Sequence, residues 1–164
     1  MTIGTAVATL AIILSFYSIW LARDHNRLSV KPLLVTHSLR EWDNNGVKLS
    51  VYISNCGVGP AVLSSFEFLV DGKETGSGQS GHVKQAIRMM MGDSFHFRIL
   101  SVSEPKQDHV IRAGEEYALF TIRIDEVSKA DEQWFIETVD GGDLVIGYRS
   151  LYGTLFHHDT RDQP

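Results

Sequence analysis

The sequence predicts a mainly β protein: an N-terminal transmembrane helix, then an antiparallel immunoglobulin-like β-sandwich of about seven strands with one or two short helices. Three observations lead there. Residues 1–22 carry no charged side chain. Beyond them, apolar residues recur at every second position in several separate runs, the period of a strand with one buried face. Turn residues, and no regular succession of helices, separate those runs, which favours antiparallel strands over a parallel sheet.

An uncharged helix of about 20 residues is roughly 30 Å long and matches the hydrocarbon core of a bilayer. Ile3, Val7, Leu10, Ile12, Ile13, Leu14, Phe16, Ile19 and Leu21 each favour insertion by about 0.3–0.6 kcal/mol, which offsets Thr5, Thr9, Ser15 and Ser18. A cleaved signal peptide would need a basic start, a shorter apolar run and a small-x-small cleavage site. Here no Lys or Arg precedes the run, and "WLARDHNR" follows it. The span is therefore expected to remain as an anchor in the lipid bilayer. Arg23, Arg27 and Lys31 come directly after it, so the positive-inside rule expects the rest of the chain in the cytoplasm. Tyr17, Trp20, Arg23 and Arg27 would then mark the inner membrane interface. The single Cys56 permits no internal disulfide, in keeping with that compartment.

The expected organisation is a transmembrane helix over 1–22, a juxtamembrane linker over 23–30, one β-sandwich domain over 31–160 and a C-terminal tail over 161–164. All 15 Lys and Arg and all 20 Asp and Glu lie beyond the span, for a net charge of -5. A mildly acidic domain lacks the phosphate-neutralising charge that sequence-independent nucleic-acid binding requires.

Within the domain, "SVKPLLVTH" leads into the first strand. Val47, Leu49, Val51 and Ile53 alternate with Lys48, Ser50, Tyr52 and Ser54. The same period recurs at Val62, Ser64, Phe66, Phe68 and Val70, at Phe95, Phe97 and Ile99, at Phe120, Ile122 and Ile124, and at Leu144, Ile146 and Tyr148. "YGTLFHH" forms the last strand. Asp71-Gly72 and Gly141-Gly142 supply turns. Two helices are expected among the strands. "HVKQAIRMMM" (82–91) places Val83, Ile87, Met90 and Met91 near one face and has Gly92 as a stop. "SKADEQWFIETV" (128–139) has Ser128 as a cap and acidic residues in its first turn.

The stretch "SNCGVGPA" (54–61) invites a comparison with phosphate-binding loops, but those feed into a helix N-terminus and this one feeds into an alternating strand. The expectation is a structural turn in which Asn55 bonds locally through its side chain, Gly57 and Gly59 adopt positive φ, and Pro60 fixes the exit.

The uncharged span, "HNRLSVKPLL", "ISNCGVGPAVLSSFEFLVDGK", "RAGEEYALFTI" and the closing "IGYRSLYGTLF" together resemble a widespread group of small, largely uncharacterised bacterial membrane-anchored proteins. These have one N-terminal transmembrane helix and a β-sandwich-like domain. The resemblance covers nearly the whole chain and implies an inner-membrane anchor and a β-rich domain. Its shared words are anchor, turn and strand words, so it implies no catalytic residues.

Catalytic patterns are missing from the residues themselves. His157 and His158 are neighbours, and neighbours on a strand point to opposite faces, which prevents them from sharing a metal. "GSGQSGH" lacks the spacing of a nucleophile elbow, and Cys56 lies beside no base. The expectation is a non-enzyme without metal or cofactor.

The most specific pattern lies inside the span. Gly4, Ala8, Ala11, Ser15, Ser18 and Ala22 recur at steps of four, three, four, three and four. Small residues at this period form a helix-packing face, since close backbone approach drives association in lipid. The expected function is that of a membrane-anchored interaction protein, a scaffold or accessory chain. Its span would pack on its own copies or a partner helix, and its domain would bind a protein partner. The alternative is a membrane effector of a bacterial defence or stress system that oligomerises in response to a ligand or protein signal.

Overall fold

The computed structural model describes residues 3–75, 81–92, 96–127, 133, 136 and 142–162. Helix α1 (Ile3–Ser29) opens the chain. Its stretch Ile3–Arg27 is long and apolar enough, by length and composition, to cross a membrane. Its described side chains through Arg27 are all exposed, so no part of this helix is held by a core within the chain. The residues read as a juxtamembrane linker continue the helix as far as Ser29. Nothing in "RDHNRLS" breaks a helix, and the first stop signal is Pro32, which disfavours helical backbone at the residue before it.

Nine strands follow among the described residues: β1 (Leu34–Asp43), β2 (Gly46–Asn55), β3 (Ala61–Val70), β4 (Lys73–Glu74), β5 (Phe97–Val102), β6 (Val110–Ile111), β7 (Glu116–Asp125), β8 (Gly142–Arg149) and β9 (Leu155–Asp159). The count exceeds the expected seven by β4 and β6, two-residue strands too short to display any period. All pairings are antiparallel. One sheet runs in the order β1-β2-β7-β5 and the other β4-β3-β8-β9, with β6 beside β3. Leu49, Ile53, Phe120 and Ile122 from the first sheet share one buried cluster with Leu63, Phe68, Leu144 and Ile146 from the second.

Phe120, Ile122, Ile124, Leu144, Ile146 and Tyr148 are buried at the expected alternate positions. Elsewhere the alternation changes phase at bulges, each inserting one residue that has no opposite number. Leu63 pairs with Tyr148 and Ser65 with Gly147, so Ser64 is the extra residue and faces solvent, not the core. Leu119 is extra between the pairs Val51–Phe120 and Tyr52–Ala118, and is buried. Leu100 is extra between Ile99 and Ser101, and is exposed.

Helix α2 (His82–Met91) has the expected limits and buries Val83, Ile87, Met90 and Met91. Gly92 ends it, its N–H donating to the Arg88 carbonyl. At the other end the Glu104 carboxylate accepts from the Gly81 and Val83 amides at 2.8 and 3.3 Å, a negative charge at the positive end of the helix dipole. Asp71 and Gly72, with φ of 51° and 72°, turn β3 into β4. The second expected helix, over 128–139, lies outside the described residues apart from Gln133 and Ile136, both helical. Phe95 and Gly141 lie outside them too.

Strand register defines two loop ends. The pairs Leu34–Asn55, Ser54–Glu116 and Val62–Arg149 bring the α1 exit, the β2–β3 corner and the β8–β9 hairpin to one end. The pairs Asp43–Gly46, Gly46–Asp125 and Val70–Lys73 define the opposite end.

Candidate functional site

The feature that sets how the domain meets its helix is the corner Asn55–Pro60. Asn55 is buried, and its side chain makes four hydrogen bonds. Its Oδ1 accepts from the Gly57 amide at 3.0 Å, an Asx turn, and from the Leu33 amide at 3.2 Å. Its Nδ2 donates to the Gly59 carbonyl at 2.8 Å and the Ile111 carbonyl at 3.0 Å. Cys56 N–H donates to the Leu33 carbonyl at 2.8 Å and Val58 N–H to the Lys31 carbonyl at 3.2 Å. One polar side chain thus ties the segment leaving α1, the β2–β3 corner and β6 together.

Gly57 and Gly59 do not occupy the left-handed region expected of them. The glycine requirement comes from contact: a Cβ on Gly57 would run into the backbone of Lys31–Leu33, and one on Gly59 into the Val30 carbonyl. Pro60 enters β3 directly after this contact. The opposite side of the segment is held by aromatic residues. Tyr148 Oη accepts from the Leu34 amide at 3.4 Å, Phe156 stacks on Tyr148 with centroids 5.5 Å apart, and Lys31 Nζ lies 5.6 Å from the Phe156 centroid. Sequence reasoning misses this second grip because Lys31, Tyr148 and Phe156 are distant in the chain. The buried, alternating Tyr148 was its only signal.

On α1, Gly4, Ala8, Ala11, Ser15, Ser18 and Ala22 are all exposed. The Ser15 and Ser18 hydroxyls donate to the Ala11 and Leu14 carbonyls at 2.8 Å, so both are satisfied within the helix. The stripe therefore presents small, dry surface more than free hydrogen-bond donors. Tyr17 and Trp20 sit with ring centroids 6.1 Å apart, and Trp20, Arg23, Asp24 and Arg27 share one face of the helix.

A cleft of about 430 Å³ opens along edge strand β1. Thr36, Ser38 and Arg40 line it from β1, with Asp143, Leu144 and Thr160 opposite. Thr160 Oγ1 is occupied, accepting from the Leu144 amide at 2.9 Å. Arg40 Nε is buried and has no hydrogen-bond partner among the described residues. An inward-pointing charge on an edge strand also discourages pairing with another sheet.

His157 is exposed and His158 buried, on opposite faces of β9. Burial lowers the His158 pKa and keeps the ring neutral near pH 7, with Nε2 at 3.2 Å from Thr36 Oγ1. Among the described residues no group of three or more His, Cys, Asp or Glu side chains is arranged to hold a metal ion. Cys56 is exposed. No known protein family and no curated protein matches the chain.

Proposed function

We propose that the protein is a membrane-anchored interaction protein. Its α1 helix crosses the bacterial inner membrane and packs through the Gly4–Ala22 stripe on copies of itself or on a partner's helix, and its domain engages a protein partner. The observation that carries this reading is an apolar helix whose described side chains through Arg27 find no burial within the chain, joined to the domain through the buried, four-fold hydrogen-bonded Asn55. A helix so exposed needs lipid or another helix around it. Arg23, Arg27 and Lys31 favour a cytoplasmic domain. With the two-residue strands set aside, the strand orders β1-β2-β7-β5 and β3-β8-β9 support reading the domain as an immunoglobulin-like sandwich, a frequent scaffold for recognition.

Native mass and co-purifying chains of the full-length protein, extracted gently from membrane, test this. Ala8→Ile and Ala11→Ile together should dissolve the assembly while the domain stays folded. An unchanged assembly would remove the helix-packing reading. A second reading, a membrane effector whose domain senses a ligand, is favoured by the Arg40 cleft. Collapse of membrane potential on expression, abolished by Arg40→Ala, would support it over the first.

A further inference from the structure

Outside α1, the three most exposed large apolar side chains among the described residues are Leu155 (73%), Val58 (69%) and Leu151 (65%). All three lie at the end of the domain from which α1 leaves. Tyr152, 52% exposed, accompanies Leu151 at the tip of the β8–β9 hairpin. That tip is a tight turn: Gly153 N–H donates to the Ser150 carbonyl at 3.0 Å, Gly153 has a φ of 79°, and Leu151 and Tyr152 occupy the two central positions. Turn centres ordinarily hold Gly, Asn, Asp, Ser or Pro. Here the turn presents a leucine and a tyrosine to the surroundings. Val58 is likewise pushed outward between Gly57 and Gly59, whose backbones press on the α1 exit.

We propose that Val58, Leu151, Tyr152 and Leu155 seat in the interfacial layer of the bilayer that α1 crosses, so that the domain lies on the membrane at a fixed pose. The inference rests on the membrane-anchor reading and deepens it. Its reach follows from helix geometry. Residues 23–29 continue α1 beyond the uncharged stretch by roughly 10 Å. The headgroup layer on one side of a bilayer is roughly 5–8 Å deep. A domain gripped at Val30–Leu34 therefore begins at the outer edge of the headgroup layer, within a side chain's reach of it. An amphipathic tyrosine is suited to that layer.

Charge at this end is of both signs: Lys31, Lys106, Arg112 and Arg149 share its loops and strand ends with Asp108, Glu115 and Glu116, and Arg149 pairs with Asp108 at 2.9 Å. The contact is thus apolar in character and should form on zwitterionic lipid without needing anionic headgroups.

Cys56 is the only cysteine, is exposed and adjoins the proposed contact, so it can carry a dye in the otherwise native full-length chain. The test places an environment-sensitive dye there in phosphatidylcholine vesicles containing headgroup spin-labelled lipid. Quenching should be several-fold stronger than for the same dye at Asn44→Cys, at the far end, in a Cys56→Ser background. It should fall to the far-end level when Leu151→Asp and Tyr152→Asp are introduced. Equal quenching at both sites in a chain that resists alkaline extraction leaves the anchor standing and overturns the inference. Release of the chain by alkaline extraction overturns the anchor and the inference together. A dye shielded from water but not quenched by spin-labelled lipid means the tips are covered by protein, which also overturns it.

Discussion

At the end of the domain far from α1, Arg123 reaches Asp43 at 2.7 Å and Asp125 at 3.3 Å, Arg98 reaches Asp125 at 3.2 Å, and Lys48 reaches Glu41 at 2.6 Å. At the end beside α1, Asn55 consumes the backbone polar groups of three chain segments, and the apolar side chains Val58, Leu151, Tyr152 and Leu155 face outward among charged ones that include the Arg149–Asp108 pair. One end keeps its charges in water, where paired ions cost little to solvate. The other ties up its corner backbone internally and adds exposed apolar tips to its charges, as suits a surface that meets an interfacial layer. Among the described residues the two ends thus differ in exposed apolar surface rather than in the presence of charge.

The largest expected effect comes from dismantling the helix-side clamp. Asn55→Leu strands buried polar groups on Leu33, Gly57, Gly59 and Ile111, and should cost about 3 kcal/mol of stability in denaturant unfolding of the detergent-solubilised chain. A loss below about 1 kcal/mol would mean the corner is not what holds the segment. Next, Gly59→Ala drives a methyl into the Val30 carbonyl and should cost about 2 kcal/mol, with increased proteolysis between Ser29 and Leu34 as the visible sign.

Acid should act mainly on the water-facing end. The hydrogen-bonded Arg123 guanidinium holds the Asp43 pKa down at about 2. A depressed carboxyl pKa contributes stability that is complete above the unfolded value near 3.8 and is lost as pH falls through about 2. The unfolding midpoint should therefore decline steeply over that window, and Asp43→Asn should flatten the decline. A shallower loss begins at higher pH because buried His158 also titrates below its unfolded value of 6.5, so its neutral form stabilises the fold only until it is forced to charge. The smallest effect on stability belongs to Leu151→Ser, within about 0.5 kcal/mol of wild type, since the side chain is 65% exposed. Its consequence should instead be seen in the quenching of a Cys56-bound dye by lipid.

Much of the architecture is legible in one dimension. Residues 1–22 announce the apolar helix, and the period-two runs around Phe120 and Ile146 locate central strands because both flank a single core. Helix α2 is legible to the residue, since its apolar face and Gly92 suffice to bound it. The bulges at Ser64, Leu100 and Leu119 are not legible, because an extra residue is defined only against the partner strand. The glycines of the corner were legible as special but for another reason: a close approach to Val30–Leu33 depends on a segment more than 20 residues away, whereas a positive φ would have been local. Of the candidate stripe, the spacing can be read directly, but not that Ser15 and Ser18 turn back onto their own helix.

By itself the sequence determined the properties that depend on local composition and period: a helix long and apolar enough to cross a membrane, strands with one buried face, and the turns that separate them. Only the tertiary structure decided where those pieces meet. It placed Glu104 on the start of α2, Asn55 between the segment leaving α1, the corner and β6, and Val58 at the same end of the domain as Leu151 and Leu155. The physical reason is that propensity and periodicity act over a few residues. Hydrogen bonds between distant segments, and the apolar surface left over once they form, depend on how two sheets pack around a common core.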